Sequence, residues 1–79
     1  MIHIKLDYKY MGLRIKELRK EKGITQTQLA NLLGTYPSNI SRYEQGKTRM
    51  SMNKLVKIAN FFDATISSFI KAEAVRYEL

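Results

Sequence analysis

Strict alternation runs through the first ten residues, with Ile2, Ile4, Leu6, Tyr8 and Tyr10 on one side and His3, Lys5, Asp7 and Lys9 on the other. A period of two is that of a β-strand with one covered face. At residue 11 the period changes. Met11, Ile15 and Leu18 recur at helical spacing while Arg14, Lys16, Glu17, Lys20 and Glu21 fill the other faces, and Gly23 ends the helix as a C′ residue. The next segment, "ITQTQLANLLG", offers Thr25 as N-cap with Gln28 three residues on, a capping box, and Ile24 with Leu29 as its hydrophobic staple. A helix over 26–33 follows, closed by Gly34. Pro37 suits a first helical turn because its missing N–H has no intrahelical partner there, so a third helix is expected over 37–45, ended by Gly46. Met50 and Leu55 bracket Ser51 as the cap of a fourth helix, whose Leu55, Ile58, Ala59 and Phe62 form one apolar stripe. Thr65 is expected to cap a short fifth helix carrying Ile66, Phe69 and Ile70. The tail returns to alternation, Val75, Tyr77 and Leu79 against Arg76 and Glu78.

The fold class is therefore mainly α: five helices over residues 11–70, with a strand extension at 1–9 and a C-terminal strand at 72–79, all in one domain spanning 1–79. A lone strand leaves its backbone groups unpaired, so each terminal strand needs a neighbour. Lys5 and Lys9 opposite Glu73 and Glu78 favour an antiparallel pairing of the two termini, either within one chain or across a dimer.

Composition then removes whole classes of function. The 79 residues contain no cysteine, which excludes disulfides and thiolate metal sites, and His3 is the sole histidine, too few to build a metal site within one chain. No nucleophile–base pair or carboxylate dyad can be assembled, so an enzyme is not expected, nor a cofactor. No apolar run approaches the roughly 20 residues of a membrane-spanning helix, and "MIHIKLDYKY" lacks the apolar centre of a signal peptide, so a cytoplasmic protein with no membrane partner is expected. The net charge of +7 attracts polyanions in general.

Two glycine-stopped helices joined by a very short turn are the sequence form of a helix-turn-helix. On the third helix Ile40 and Tyr43 fall on one side, and Ser38, Ser41, Arg42 and Gln45 cluster on the other at 100° per residue. Short donors and acceptors with one guanidinium are suited to reading base edges, because Arg can grip guanine O6 and N7 together. Residues 24–62, "ITQTQLANLLGTYPSNISRYEQGKTRMSMNKLVKIANFF", resemble the helix-turn-helix of the Cro/C1-type (XRE) family of bacterial and phage repressors. With the first helix and "DATISSFI" the resemblance covers about residues 11–70. Its shared features are the Thr-Gln start, Leu-Ala in the second helix, the turn Gly, an Ile followed by Arg-x-Glu-x-Gly, and Ile-Ala in the fourth helix.

The resemblance implies base-reading positions at the start and middle of the third helix, matching Pro37, Ser38 and Arg42, with Asn39 and Ser41 beside them. Pro37 departs from the polar residue usual there; it either meets a thymine methyl or presets the helix. Gln26 matches the family's glutamine at the N-terminus of the second helix, where free N–H groups favour a phosphate. Lys47, Thr48 and Arg49 directly after the recognition helix are expected on the DNA backbone, with Gln45 and Tyr36 as further phosphate contacts; for Tyr36, packing against Pro37 is the equal alternative. Arg19 and Glu44 match a family salt bridge between the first and third helices. Arg14, Lys16, Lys20 and Lys22 are read as a solvated face.

The expected function is sequence-specific binding of double-stranded DNA by a transcriptional regulator, a repressor acting as a homodimer on an inverted repeat. The chain is read as too short for a separate small-molecule sensing domain. The competing reading is a protein-interaction module of the same fold, such as an antitoxin or accessory subunit whose partner is a toxin or another regulator.

Overall fold

The computed structural model describes the backbone of residues 2–70 and 72–76 and the side chains of residues 6–70. The elements are β1 (Ile2–Leu6), α1 (Tyr8–Glu21), α2 (Gln26–Leu33), α3 (Pro37–Glu44), α4 (Met52–Phe61), a 3-10 turn (Ile66–Phe69) and β2 (Ala72–Arg76). The fold is mainly helical.

α1 begins three residues earlier than the periodicity predicts. Asp7 takes an extended backbone and its Oδ1 accepts from the Tyr10 N–H at 3.0 Å, an N-cap that converts Tyr8, Lys9 and Tyr10 from strand to helix. The aspartate was the overlooked signal: it satisfies an orphan donor of the first turn, which the alternation of Tyr8 and Tyr10 cannot do. At the other end Gly23, at φ +68°, donates to the Lys20 carbonyl while Ile24 N–H reaches back to Arg19 O. This left-handed closure aims the chain directly into α2.

α2 carries the capping box in full, with Thr25 Oγ1 accepting from Gln28 N–H at 3.0 Å and Gln28 Oε1 accepting from Thr25 N–H at 2.8 Å. Gly34, at φ +67°, closes it. After only Thr35 and Tyr36, α3 starts on Pro37 with no side-chain cap from Tyr36. Ser51 caps α4 by accepting from Lys54 N–H, and its staple partners Met50 and Leu55 are both buried. The predicted fifth helix is a single 3-10 turn. Thr65 makes no side-chain cap there, its hydroxyl lying against Ser67 Oγ instead, and four residues are too few to propagate an α-helix.

The core lies where the apolar stripes of the helices meet. Ile15 of α1, Leu29 of α2, Ile40 of α3, Leu55 and Ile58 of α4 and Phe69 of the 3-10 turn are its fully buried large side chains. Each such burial contributes about 1.5–3 kcal/mol. Phe69 shows why the last turn matters despite its length: the turn packs against α1 and α4, and its ring is fully buried. β1 and β2 run antiparallel, with Ile2 opposite Arg76, Lys5 opposite Glu73 and Leu6 opposite Ala72. Which faces the strand side chains occupy, and the expected roles of Tyr77, Glu78 and Leu79, lie outside the described residues.

Candidate nucleic-acid interface

α3 is short, and its two faces differ sharply. Ile40, Tyr43 and Glu44 are buried, Ser38, Arg42 and Gln45 are exposed, and Asn39 and Ser41 lie on the boundary. Pro37 and Tyr36 at its start are exposed as well, Tyr36 at 74%. Of the outward face predicted from periodicity, Ser38, Arg42 and Gln45 are thus open to a macromolecule, and Ser41 is half-buried between them.

Several of these polar groups are already oriented by neighbours. Gln45 Nε2 donates to Ser41 Oγ at 2.9 Å, one turn earlier, and Asn39 Nδ2 donates to Thr35 Oγ1 at 2.8 Å. The first leaves the Gln45 carbonyl oxygen and the Ser41 hydroxyl proton to meet a partner; the second ties the start of α3 to the turn. Ser38 and Arg42 make no such contact among the described residues. Lys47, Thr48 and Arg49 are exposed immediately beyond, and Lys47 N–H donates to the Arg42 carbonyl at 3.0 Å, closing the helix so that the basic loop abuts the face that carries Arg42. Gly46 at φ +70° makes that closure possible.

The scaffold behind α3 is held by one buried carboxylate. Glu44 accepts from Arg19 Nε at 2.7 Å, from Arg19 Nη2 at 3.2 Å and from Gln26 Nε2 at 3.1 Å, while Arg19 Nη1 donates to Ile24 O at 2.9 Å. The Glu44 side chain is only 3% exposed and that of Arg19 11%. Fork geometry, with each guanidinium nitrogen donating one hydrogen bond, satisfies a charge that would otherwise be costly to bury. The expected ion pair of Arg19 and Glu44 is therefore in place, and it includes a third member that the sequence reading assigned elsewhere. Gln26, expected as a phosphate clamp, has one amide hydrogen committed to Glu44; its second has no partner among the described residues. Among the described residues Arg14, beside Glu17 at 3.0 Å, and Arg19 are the only basic side chains with an acidic partner. The exposed lysines and Arg42 and Arg49 are left to set the field.

Gly12 is the residue that sequence reasoning missed. It sits inside α1, and a Cβ there would collide with the Tyr43 carbonyl oxygen and lie 2.7 Å from that of Glu44. α1 and the last turn of α3 are therefore in backbone contact, which only glycine permits. An isolated glycine within a helical pattern was the available signal.

A helix set after a tight turn, with Arg42 on its open face and the basic loop 47–49 just beyond it, tethered to the preceding helices by a buried ion pair, is the arrangement of a helix-turn-helix. Residues 15–69 match the helix-turn-helix family in sequence. The chain belongs to the Cro/C1-type helix-turn-helix family. Among relatives, the HTH-type transcriptional regulator AnsR of Bacillus subtilis is 37% identical over 60 residues, 76% of this chain and 52% of AnsR. The restriction-modification controller protein C.AhdI from Aeromonas hydrophila superposes with a TM-score of 0.73 at 32% identity, covering 80% of this chain and 96% of that one. The chain spans between 16% and 63% of the lengths of eight curated helix-turn-helix relatives that it matches. The same fold also occurs within the hydroxypropylphosphonic acid epoxidase of S. wedmorenis, with a TM-score of 0.76, 21% identity and 35% of that chain covered. A helix-turn-helix fold is thus not confined to regulators, and function has to be argued from the residues of the site.

Proposed function

We propose that this helix-turn-helix chain binds double-stranded DNA in the cytoplasm as the DNA-reading unit of a transcriptional repressor, with α3 in the major groove and residues 1–79 acting as one module. The observation that carries the reading is the exposed face of Ser38, Arg42 and Gln45 next to the basic loop Lys47–Arg49, whose cations have no acidic partner among the described residues. Arg42 is the principal base reader, a bidentate donor to guanine O6 and N7; Ser38, Asn39 and Ser41 are adaptable donors and acceptors beside it. Pro37 supplies an apolar contact for a thymine methyl. Lys47, Thr48 and Arg49 hold phosphates, joined by Gln45 beside Lys47, by Gln26 through the amide hydrogen not given to Glu44, and by Tyr36 at the start of α3. Arg19 and Glu44 do not touch DNA; they fix the angle at which α3 leaves the bundle.

Two such units are proposed to act as a homodimer on an inverted repeat, with half-sites about one helical turn, roughly 34 Å, apart. Met52 at 58% and Val56 at 39% exposure, one turn apart on α4, favour a covered face of that kind. Among the described residues no group of three or more His, Cys, Asp or Glu could hold a metal ion, and no helix is long and apolar enough to cross a membrane.

Affinity measured by fluorescence anisotropy on a duplex selected from a random pool, and on a mixed-sequence duplex, tests the assignment. Arg42→Ala is expected to weaken the selected duplex by about 1–3 kcal/mol and to relax preference at one base pair, while leaving mixed-sequence binding nearly unchanged. Lys47→Ala is expected to weaken both duplexes alike and to flatten the salt dependence by about one. Equal losses on both duplexes for Arg42→Ala would remove it from base reading.

A further inference from the structure

We infer that Lys9, at the start of α1, is a phosphate contact of the same interface, so that the first turn of α1 belongs to the DNA-binding face. The inference rests on the function proposed above and extends it to a residue that alternation had placed in a strand.

The geometry arises from two glycines. Gly12 lets α1 lie in backbone contact with the carbonyls of Tyr43 and Glu44 at the end of α3. Gly46, the residue that turns the chain out of α3, has its open side against Lys9: a Cβ there would be 2.8 Å from both Lys9 Cα and Lys9 Cγ. The stem of Lys9 is consequently laid along the end of the recognition helix, and its exposed head group shares one surface groove with Gln45, Gly46 and Lys47.

The charges in that groove are unbalanced. Its single acid, Glu44, is buried and taken up by Arg19 and Gln26. Asp7, two residues before Lys9, is engaged as the cap of α1. Among the described residues neither Lys9 nor Lys47 has a carboxylate within ion-pair distance. Two lysines lining one groove repel each other unless an anion lies between or beside them, and the anion this face is built to approach is the DNA backbone. Lys9 thereby adds a contact to the run of Lys47, Thr48 and Arg49 from a different element, which fixes the docking angle of α3 more firmly than a single loop does.

The test compares the full chain with Lys9→Gln and Lys9→Met, which both retain Cγ against Gly46 while removing the charge, with Lys9→Arg, and with Lys57→Gln. Lys57 lines a separate groove with Leu32, Leu33, Asn60 and Phe61, and its replacement lowers the net charge by the same amount. The slope of log affinity against log salt is measured on the selected and mixed-sequence duplexes, with thermal melts confirming that each variant folds. Both neutral variants are expected to flatten the slope by about 0.9 on both duplexes, Lys9→Arg to restore it and Lys57→Gln to leave it unchanged. A steep wild-type slope that persists in both neutral variants, or an equal loss in Lys57→Gln, overturns the Lys9 assignment alone. Wild-type protein that binds no duplex at low salt overturns the proposed function and this inference together.

Discussion

Glu44→Ala is expected to lower folding stability by about 3–5 kcal/mol, because the Arg19 guanidinium then remains buried with its Nε and Nη2 donors unmatched. For a domain of this size such a loss corresponds to a fall in melting temperature on the order of 20 °C, readable by circular dichroism. The intact pair need not be a large net stabiliser, since the cost of desolvating two ions offsets most of their attraction. What it supplies is direction: one carboxylate at the end of α3 takes donors from α1 and from the first residue of α2. The apolar double replacement Arg19→Met with Glu44→Leu separates the two effects. It is expected to recover most of the lost stability, yet to narrow the affinity gap between the selected and mixed-sequence duplexes because α3 is no longer held at one angle. A melting midpoint within a few degrees of wild type for Glu44→Ala would show that the pair bears no such charge penalty.

Gly12→Ala sets two known magnitudes against each other. Alanine is favoured over glycine by about 1 kcal/mol in a helix interior, so propensity alone says that the variant is more stable. Packing says the opposite. The added Cβ meets carbonyl oxygens of Tyr43 and Glu44, which are backbone atoms that cannot rotate away. Relieving the collision requires α1 and α3 to separate, which breaks contact between the two helices that position the reading face. Overpacking of this kind costs typically 1–3 kcal/mol and more where backbone must move, so we expect net destabilisation of about 2 kcal/mol, with a greater loss for Gly12→Val. Urea unfolding gives the sign directly: an unfolding midpoint above wild type for Gly12→Ala would mean that the helices are not in contact there.

Local chemistry made much of this arrangement legible. Thr25 with Gln28, Pro37 after Gly34, and Ser51 between Met50 and Leu55 are each self-contained signals, since the groups that satisfy one another lie within five residues. The inner and outer faces of α3 followed from the 100° step, which needs no knowledge of what lies opposite. The failures have another character. Tyr8 and Tyr10 continued an alternation that Asp7, by capping, had already ended. Thr65 had the residue type of a cap, but only one turn of chain follows it before β2, so there was no α-helix to cap. Gln26 was assigned by its place at a helix N-terminus, and that its amide also meets Glu44, eighteen residues away, is a fact of three-dimensional packing. The same is true of Gly12 and Lys9, whose roles exist only because α1 lies across the end of α3.

With α3 in the major groove, its exposed side chains are expected to read base edges there. Methylation interference on the selected duplex tests this placement most directly, because methylated guanine N7 obstructs the major groove whereas methylated adenine N3 obstructs the minor. Guanine N7 methylation within each half-site is expected to abolish binding by the wild-type protein, and one of those guanines to cease to matter for Arg42→Ala. Interference confined to adenine N3, with guanine N7 methylation tolerated throughout the site, would contradict the placement of α3 in the major groove.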